Sequence, residues 1–102
     1  MSILRKSLAP ESAQHTELVG KLADELRFET PTGPRILEEE QRGGYFHVTV
    51  IWDEWEGVEG EERGRIIMDA YEQERASDVM KITIALGLTS EEAQRLGIRF
   101  SS

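Results

Sequence analysis

Tyr45-Phe46-His47-Val48-Thr49-Val50-Ile51-Trp52-Asp53 decides the fold of this chain. Side chains alternate along an extended backbone, so Phe46, Val48, Val50 and Trp52 share one face and His47, Thr49, Ile51 and Asp53 the other. The first face is uniformly apolar and must be covered. The second is mixed and is expected to be wet or to serve as a contact surface. Just upstream, Arg42-Gly43-Gly44 supplies the positive φ values of a tight hairpin turn. Residues 35–41, with Ile36 and Leu37 ahead of three glutamates, then form the antiparallel partner strand.

Residues 10–28 read as a helix. Pro10 suits a first turn, Glu11 complements the dipole there, and Leu18, Val19, Leu22 and Leu26 recur at helical spacing with His15 on the same stripe. Thr30-Pro31-Thr32-Gly33-Pro34 stops it, since two prolines and a glycine in five residues cannot continue a helix. Beyond the hairpin, residues 54–60 form a glycine-punctuated loop. A second helix over 61–76 buries Arg63 (by its stem), Ile66, Ile67, Ala70 and Tyr71. Residues 79–86 make a third strand, with Met80, Ile82, Ile84 and Leu86 on one side, Lys81, Thr83 and Ala85 on the other, and Gly87 turning the chain. Thr89-Ser90-Glu91-Glu92 is a capping box opening a last helix that ends at Leu96. Ile98 and Phe100 are expected to tuck back onto the core.

The order α-β-β-α-β-α predicts an α+β two-layer sandwich, a three-stranded mixed sheet with helices on one face. The hairpin is antiparallel, and the helix between the second and third strands returns the chain in parallel. One hundred and two residues hold a single domain, with residues 1–9 as an N-terminal tail.

Composition narrows the function. Twelve Lys+Arg against twenty Asp+Glu leave a net charge of −8, which opposes nucleic acid and anionic membranes, whose binding draws on clustered cations. The absence of cysteine removes disulfides, thiol nucleophiles and thiolate metal sites. No apolar run reaches the ~18–20 residues of a membrane span, and the first twenty residues lack a signal-peptide core. The expected location is the cytoplasm.

Three stretches resemble the BolA-like family. Trp55-Glu56-Gly57 stands where the family has aromatic-Glu-Gly, Arg63-Gly64-Arg65 stands in the register of its Arg-His-Arg, and Thr89-Ser90-Glu91-Glu92 is similar to its Thr-Pro-Glu-Glu cap. The resemblance spans residues 18–96. It implies a class II KH-like fold and a non-enzymatic regulator, associated with stress responses, that shares an iron–sulfur cluster with a monothiol glutaredoxin. The family's helix histidine is here Gly64, its third-strand histidine falls at Met80 or Lys81, and residues 40–44 hold neither histidine nor cysteine. Iron needs imidazole or thiolate at such positions, so cluster sharing is not carried over, and no cofactor or metal is expected.

The remaining constellations are weak. His47 faces the mixed side as a lone imidazole, and His15 reads as a packing residue. An EF-hand started at Asp53 fails, because Trp55 and Gly57 would stand where oxygen ligands are needed. Gly57-Val58-Glu59-Gly60 has the GxxG form of a KH clamp, yet Glu56, Glu59, Glu61 and Glu62 would repel phosphate. Trp52 is assigned to the core and Trp55 either to a partner or to packing over its loop. Arg65 with Glu61 or Glu62 reads as a solvated ion pair. No catalytic arrangement emerges, so a non-catalytic protein-interaction domain is expected, with His47, Thr49, Ile51, Trp55, Arg63, Arg65, Lys81 and Thr83 as candidate contact residues and a glutaredoxin-like protein as the partner the resemblance implies. The alternative is a KH-like nucleic-acid module using a local patch of Arg42, Arg63, Arg65 and Lys81.

Overall fold

The computed structural model describes residues 13–31 and 33–98. The expected helix start at Pro10 and Glu11, the tail over 1–9 and the packing of Phe100 lie outside these residues. The described elements are α1 (Ala13–Phe28), β1 (Arg35–Glu40), β2 (Phe46–Ile51), α2 (Gly60–Glu74), β3 (Ile82–Leu88) and α3 (Ser90–Arg95). Short 3-10 turns over Arg42–Gly44, Asp53–Trp55 and Ala76–Lys81 join them.

The fold is α+β with a three-stranded mixed sheet in the order β1-β2-β3. β1 and β2 pair antiparallel from Arg35↔Ile51 to Glu40↔Phe46, through a turn in which Gly43 and Gly44 take φ of 78° and 83°. β3 runs parallel to β2 after the α2 crossover. The two long helices pack together over one face. Leu18, Leu22, Ala23 and Leu26 of α1 meet Ile66, Ile67, Ala70 and Tyr71 of α2 above Val48 and Val50 of β2, with Trp55 and Val58 closing the end. Full burial of each of the larger side chains contributes roughly 1.5–3 kcal/mol.

The third strand departs from its expected course. Val79, Met80 and Lys81 are wound into the preceding 3-10 turn, and the strand begins at Ile82 and continues through Gly87 to Leu88. An irregularity between Phe46 and His47 then changes the side-chain parity. Phe46 pairs with Ile82, but His47 pairs with Ile84, leaving Thr83 extra. Ile82 and Ala85 therefore pack toward the core, while Ile84 and Leu86 stand on the far face.

Gly87 is held by its neighbours rather than by its backbone angles. A Cβ there would lie 2.8 Å from Trp55 Cε2 and 2.9 Å from Arg63 Cβ, so only glycine lets β3 pass beneath them. Thr89 caps α3 by accepting from the Glu92 amide, and the Glu92 carboxylate accepts from the Thr89 amide in return, as the capping box predicts.

Candidate interaction surface

The sheet register arranges the far face in rows. Leu37, Thr49 and Leu86 lie side by side, and Glu39, His47 and Ile84 form the next row. His47 and Thr49 are half-buried there, while Ile84 and Leu86 are 49% and 41% exposed. A third row, Arg35, Ile51 and Leu88, sits under α3, where Ile51, Leu88 and Ala93 form a small second core joined by Leu37 and Ile98. The open half is thus apolar along β3 and polar along the middle of β2.

Three candidate contact residues are corrected by this placement. Ile51 is 3% exposed, because α3 and Ile98 cover its end of the strand. Trp55 is completely buried. Its indole Nε1 donates to the Val50 carbonyl at 3.0 Å, and its ring meets Trp52 edge-on at a centroid distance of 5.1 Å. Arg63 is buried along its whole length and not only by its stem. Its Nε donates to the Val58 carbonyl at 2.7 Å, Nη1 to the Gly87 carbonyl at 3.0 Å and to Glu92 at 2.6 Å, and Nη2 to the Trp55 carbonyl at 3.1 Å. A planar guanidinium can serve donors to several directions at once, which explains an arginine here.

The other candidates remain at the surface but do not converge. Arg65 is exposed and donates to Glu62 at 2.8 Å, one of the two ion pairs expected for it. Lys81 is exposed in the turn before β3 and so is not on the open sheet face, while Thr83 occupies the irregularity and reaches the Phe46 carbonyl at 3.4 Å. Arg42 is exposed in the hairpin turn. Gly64 and Arg65 line a groove with Ile82, Thr83, Ile84 and Ala85. Gly64 itself lets α2 approach β3, since a Cβ there would sit 3.2 Å from the Ala85 carbonyl oxygen. In the GxxG segment Gly57 takes a φ of 81° and Val58 is buried, so that stretch works as a strand-to-helix connection.

Two polar clusters escaped the sequence reading. His15, 3% exposed on the inner stripe of α1, places Nδ1 against Glu62 and Nε2 2.9 Å from Asp69. Both ring nitrogens thus face carboxylate oxygens of α2. Hydrogen bonding from His15, then from Arg65, holds the Glu62 carboxyl below the usual glutamate range. Glu62 and Asp69 stand seven residues apart on one face of α2, and that spacing was the available signal. The second cluster joins Tyr71, whose hydroxyl donates to Glu38, with Arg75, which donates to Glu38 at 3.1 Å and to the Leu26 carbonyl at 3.3 Å. Burial, and next the Glu38 carboxylate, push the Tyr71 hydroxyl far above the usual tyrosine value. Tyr71 and Glu38 lie 33 residues apart in sequence, out of reach of local patterning.

Asp53, the start of the rejected calcium loop, accepts from the Ser90 amide at 2.8 Å and from its hydroxyl at 3.2 Å, tying the end of β2 to the start of α3. Among the described residues no group of three His, Asp or Glu is arranged to hold a metal ion, and no helix is long and apolar enough to cross a membrane. No protein-family model, curated protein or solved structure matches the chain.

Proposed function

We propose that this chain is a non-catalytic, cytoplasmic interaction domain, similar to the BolA-like family in the motifs quoted above and without that family's iron ligation. It holds a protein partner on the open half of its sheet. The observation that carries this reading is the pair Ile84 and Leu86, two large apolar side chains exposed side by side on β3 next to Thr49 and His47. Exposed apolar area that is contiguous, with a polar rim, is characteristic of docking surfaces. The geometry favours protein over nucleic acid as the ligand. Of the four cations needed for a basic patch, Arg63 is committed to backbone carbonyls and Glu92, and Arg65 to Glu62.

The test is site-specific photocrosslinking in cells, with benzoylphenylalanine replacing Ile84 and, as a control, replacing Glu72 on the solvent side of α2. Discrete adducts at position 84 and none at 72 are expected. The same adduct pattern at both positions would overturn the reading. Mixing the chain with a monothiol glutaredoxin, iron and sulfide is expected to give no cluster spectrum that depends on this chain, because neither Gly64 nor the Met80–Lys81 turn offers imidazole or thiolate.

A further inference from the structure

The open half of the far sheet face has a definite outline. Its rows run from Leu37, Thr49 and Leu86 to Glu39, His47 and Ile84, and Tyr45, 48% exposed, stands beyond them beside the hairpin turn. Three strands set its width at about 10 Å between the axes of β1 and β3, and four residues from Thr49 to Tyr45 set its length at about 13 Å. That width is one α-helix, and that length is about nine helical residues. The other end of the same face already carries a helix, since Ala93 of α3 packs on Ile51 and Leu88. Leu37 joins that small core and also lies in the first open row, so apolar surface continues from the covered end into the open one.

Both margins of the sheet are closed to a further strand. β1 carries Glu38, Glu39 and Glu40, all exposed, and such charges discourage pairing. β3 is bordered by α2, whose Arg63 Nη1 occupies the Gly87 carbonyl at 3.0 Å and whose Gly64 lies against the Ala85 carbonyl oxygen. A partner therefore meets this surface with side chains and not with backbone. A second copy has no long helix to offer, because the apolar stripes of α1 and α2 are buried in the core. Stacking two copies face to face would bring together two molecules of net charge −8.

Charge orients the occupant. Glu39 is exposed on the β1 side of the rows, with no ion-pair partner among the described residues, while Ile84 and Leu86 stand on the β3 side. Arg35, the cation of this face, lies in the row under α3, and Arg42 and Lys81 lie in turns. A helix laid along β2 thus meets apolar side chains on one flank and an acid on the other.

We propose that this surface accepts one amphipathic helix of another protein, with leucine or isoleucine three and four residues apart over Ile84 and Leu86 and lysine or arginine beside Glu39. This rests on the interaction reading above and names the chemistry of the partner.

The experiment titrates the full chain, labelled at its leucine and isoleucine methyls, with the synthetic peptide Ala-Gln-Leu-Lys-Ala-Leu-Leu-Lys-Gln-Leu-Lys-Ala and with its counterpart bearing glutamate for every lysine. Methyl shifts concentrated at Leu37, Ile84 and Leu86 are expected, with the lysine peptide bound more tightly. Glu39→Gln is expected to weaken that peptide about two- to fivefold, the range of one exposed ion pair. Glu72→Gln, on the solvent side of α2, is expected to leave it unchanged. Absent shifts at the three methyls, equal binding of the two peptides, the same loss from Glu39→Gln and Glu72→Gln, or concentration-dependent shifts there without peptide (a second copy on the face) would each overturn the proposal. Crosslinks at position 84 in the absence of peptide binding would leave the interaction surface standing and remove only this account of its partner.

Discussion

The Trp55 indole donates across its loop to the Val50 carbonyl at 3.0 Å, and its ring lies against Gly87 of β3 so closely that a Cβ at position 87 would meet it at 2.8 Å. Indole, glycine and the Arg63 stem together close the end of the core over which α2 crosses.

Gly87→Ala is therefore expected to destabilise the fold by about 1–3 kcal/mol, the usual cost of an added methyl in a packed interior. Gly64→Ala provides the comparison. Its Cβ would press on one carbonyl oxygen at 3.2 Å, while the gain in helix propensity offsets up to about 1 kcal/mol. Urea unfolding midpoints should fall much further for the first variant than for the second, and equal midpoints would contradict the packing argument.

Arg63→Met keeps the volume of the stem and leaves the carbonyls of Val58, Trp55 and Gly87 without their donor. A loss of roughly 3–5 kcal/mol is expected, as for breaking a buried charge pair from one side. Arg63→Lys should recover little of it, because one ammonium cannot reproduce the forked geometry. Thermal unfolding of both variants checks this, and a lysine variant with the parent's midpoint would refute it.

Acid should weaken the fold in a defined way. Glu92 is held below the usual glutamate range first by the Arg63 hydrogen bond and then by the Thr89 amide, and Glu62 first by His15 and then by Arg65. A carboxyl whose pKa is lowered by folding contributes stability that is fully present above its unfolded value, about 4.3, and is lost as pH falls through the folded value. The urea midpoint should decline as pH is lowered below about 4.3. Glu92→Gln should start lower at neutral pH and decline less steeply. Parallel profiles for parent and variant would show that Glu92 is not among the linked groups.

The two ends of the far sheet face should respond very unequally to substitution. Ile51→Ala removes packing against Leu88 and Ala93, and a loss of about 2–5 kcal/mol is expected. Leu86→Thr alters a side chain that is 41% exposed, with a change within about 0.5 kcal/mol. Calorimetry on the pair measures both. A large loss from Leu86→Thr would mean that the open face is covered.

Much of the architecture was legible because it is written in local periods. Alternation over 46–51, the stripe Arg63, Ile66, Ile67, Ala70 and Tyr71, and the capping box at Thr89 all reappear in the folded chain. The third strand was misread because Met80, Ile82, Ile84 and Leu86 alternate without interruption in sequence, and nothing local reveals that Thr83 will be unmatched against β2. The contact surface was only partly legible. Ile51 looked open because its cover comes from α3, and Arg63 was read as buried by its stem alone because the acceptors of its guanidinium lie on other segments, as far away as Glu92. Ile84 and Leu86 were seen as apolar but assigned to the wrong side. Exposure is a tertiary property, and only the paired register of three strands fixes it here.

The Arg63 guanidinium has a consequence for how the domain assembles. Its acceptors come from the loop at Trp55 and Val58, from the parallel strand at Gly87 and from the terminal helix at Glu92. A partly built domain with α2 docked and β3 absent would hold a desolvated cation lacking half its acceptors, a state of high energy. The loop at 55–58, β3 and α3 are thereby coupled in stability, since loosening any one of them strips acceptors from the same cation.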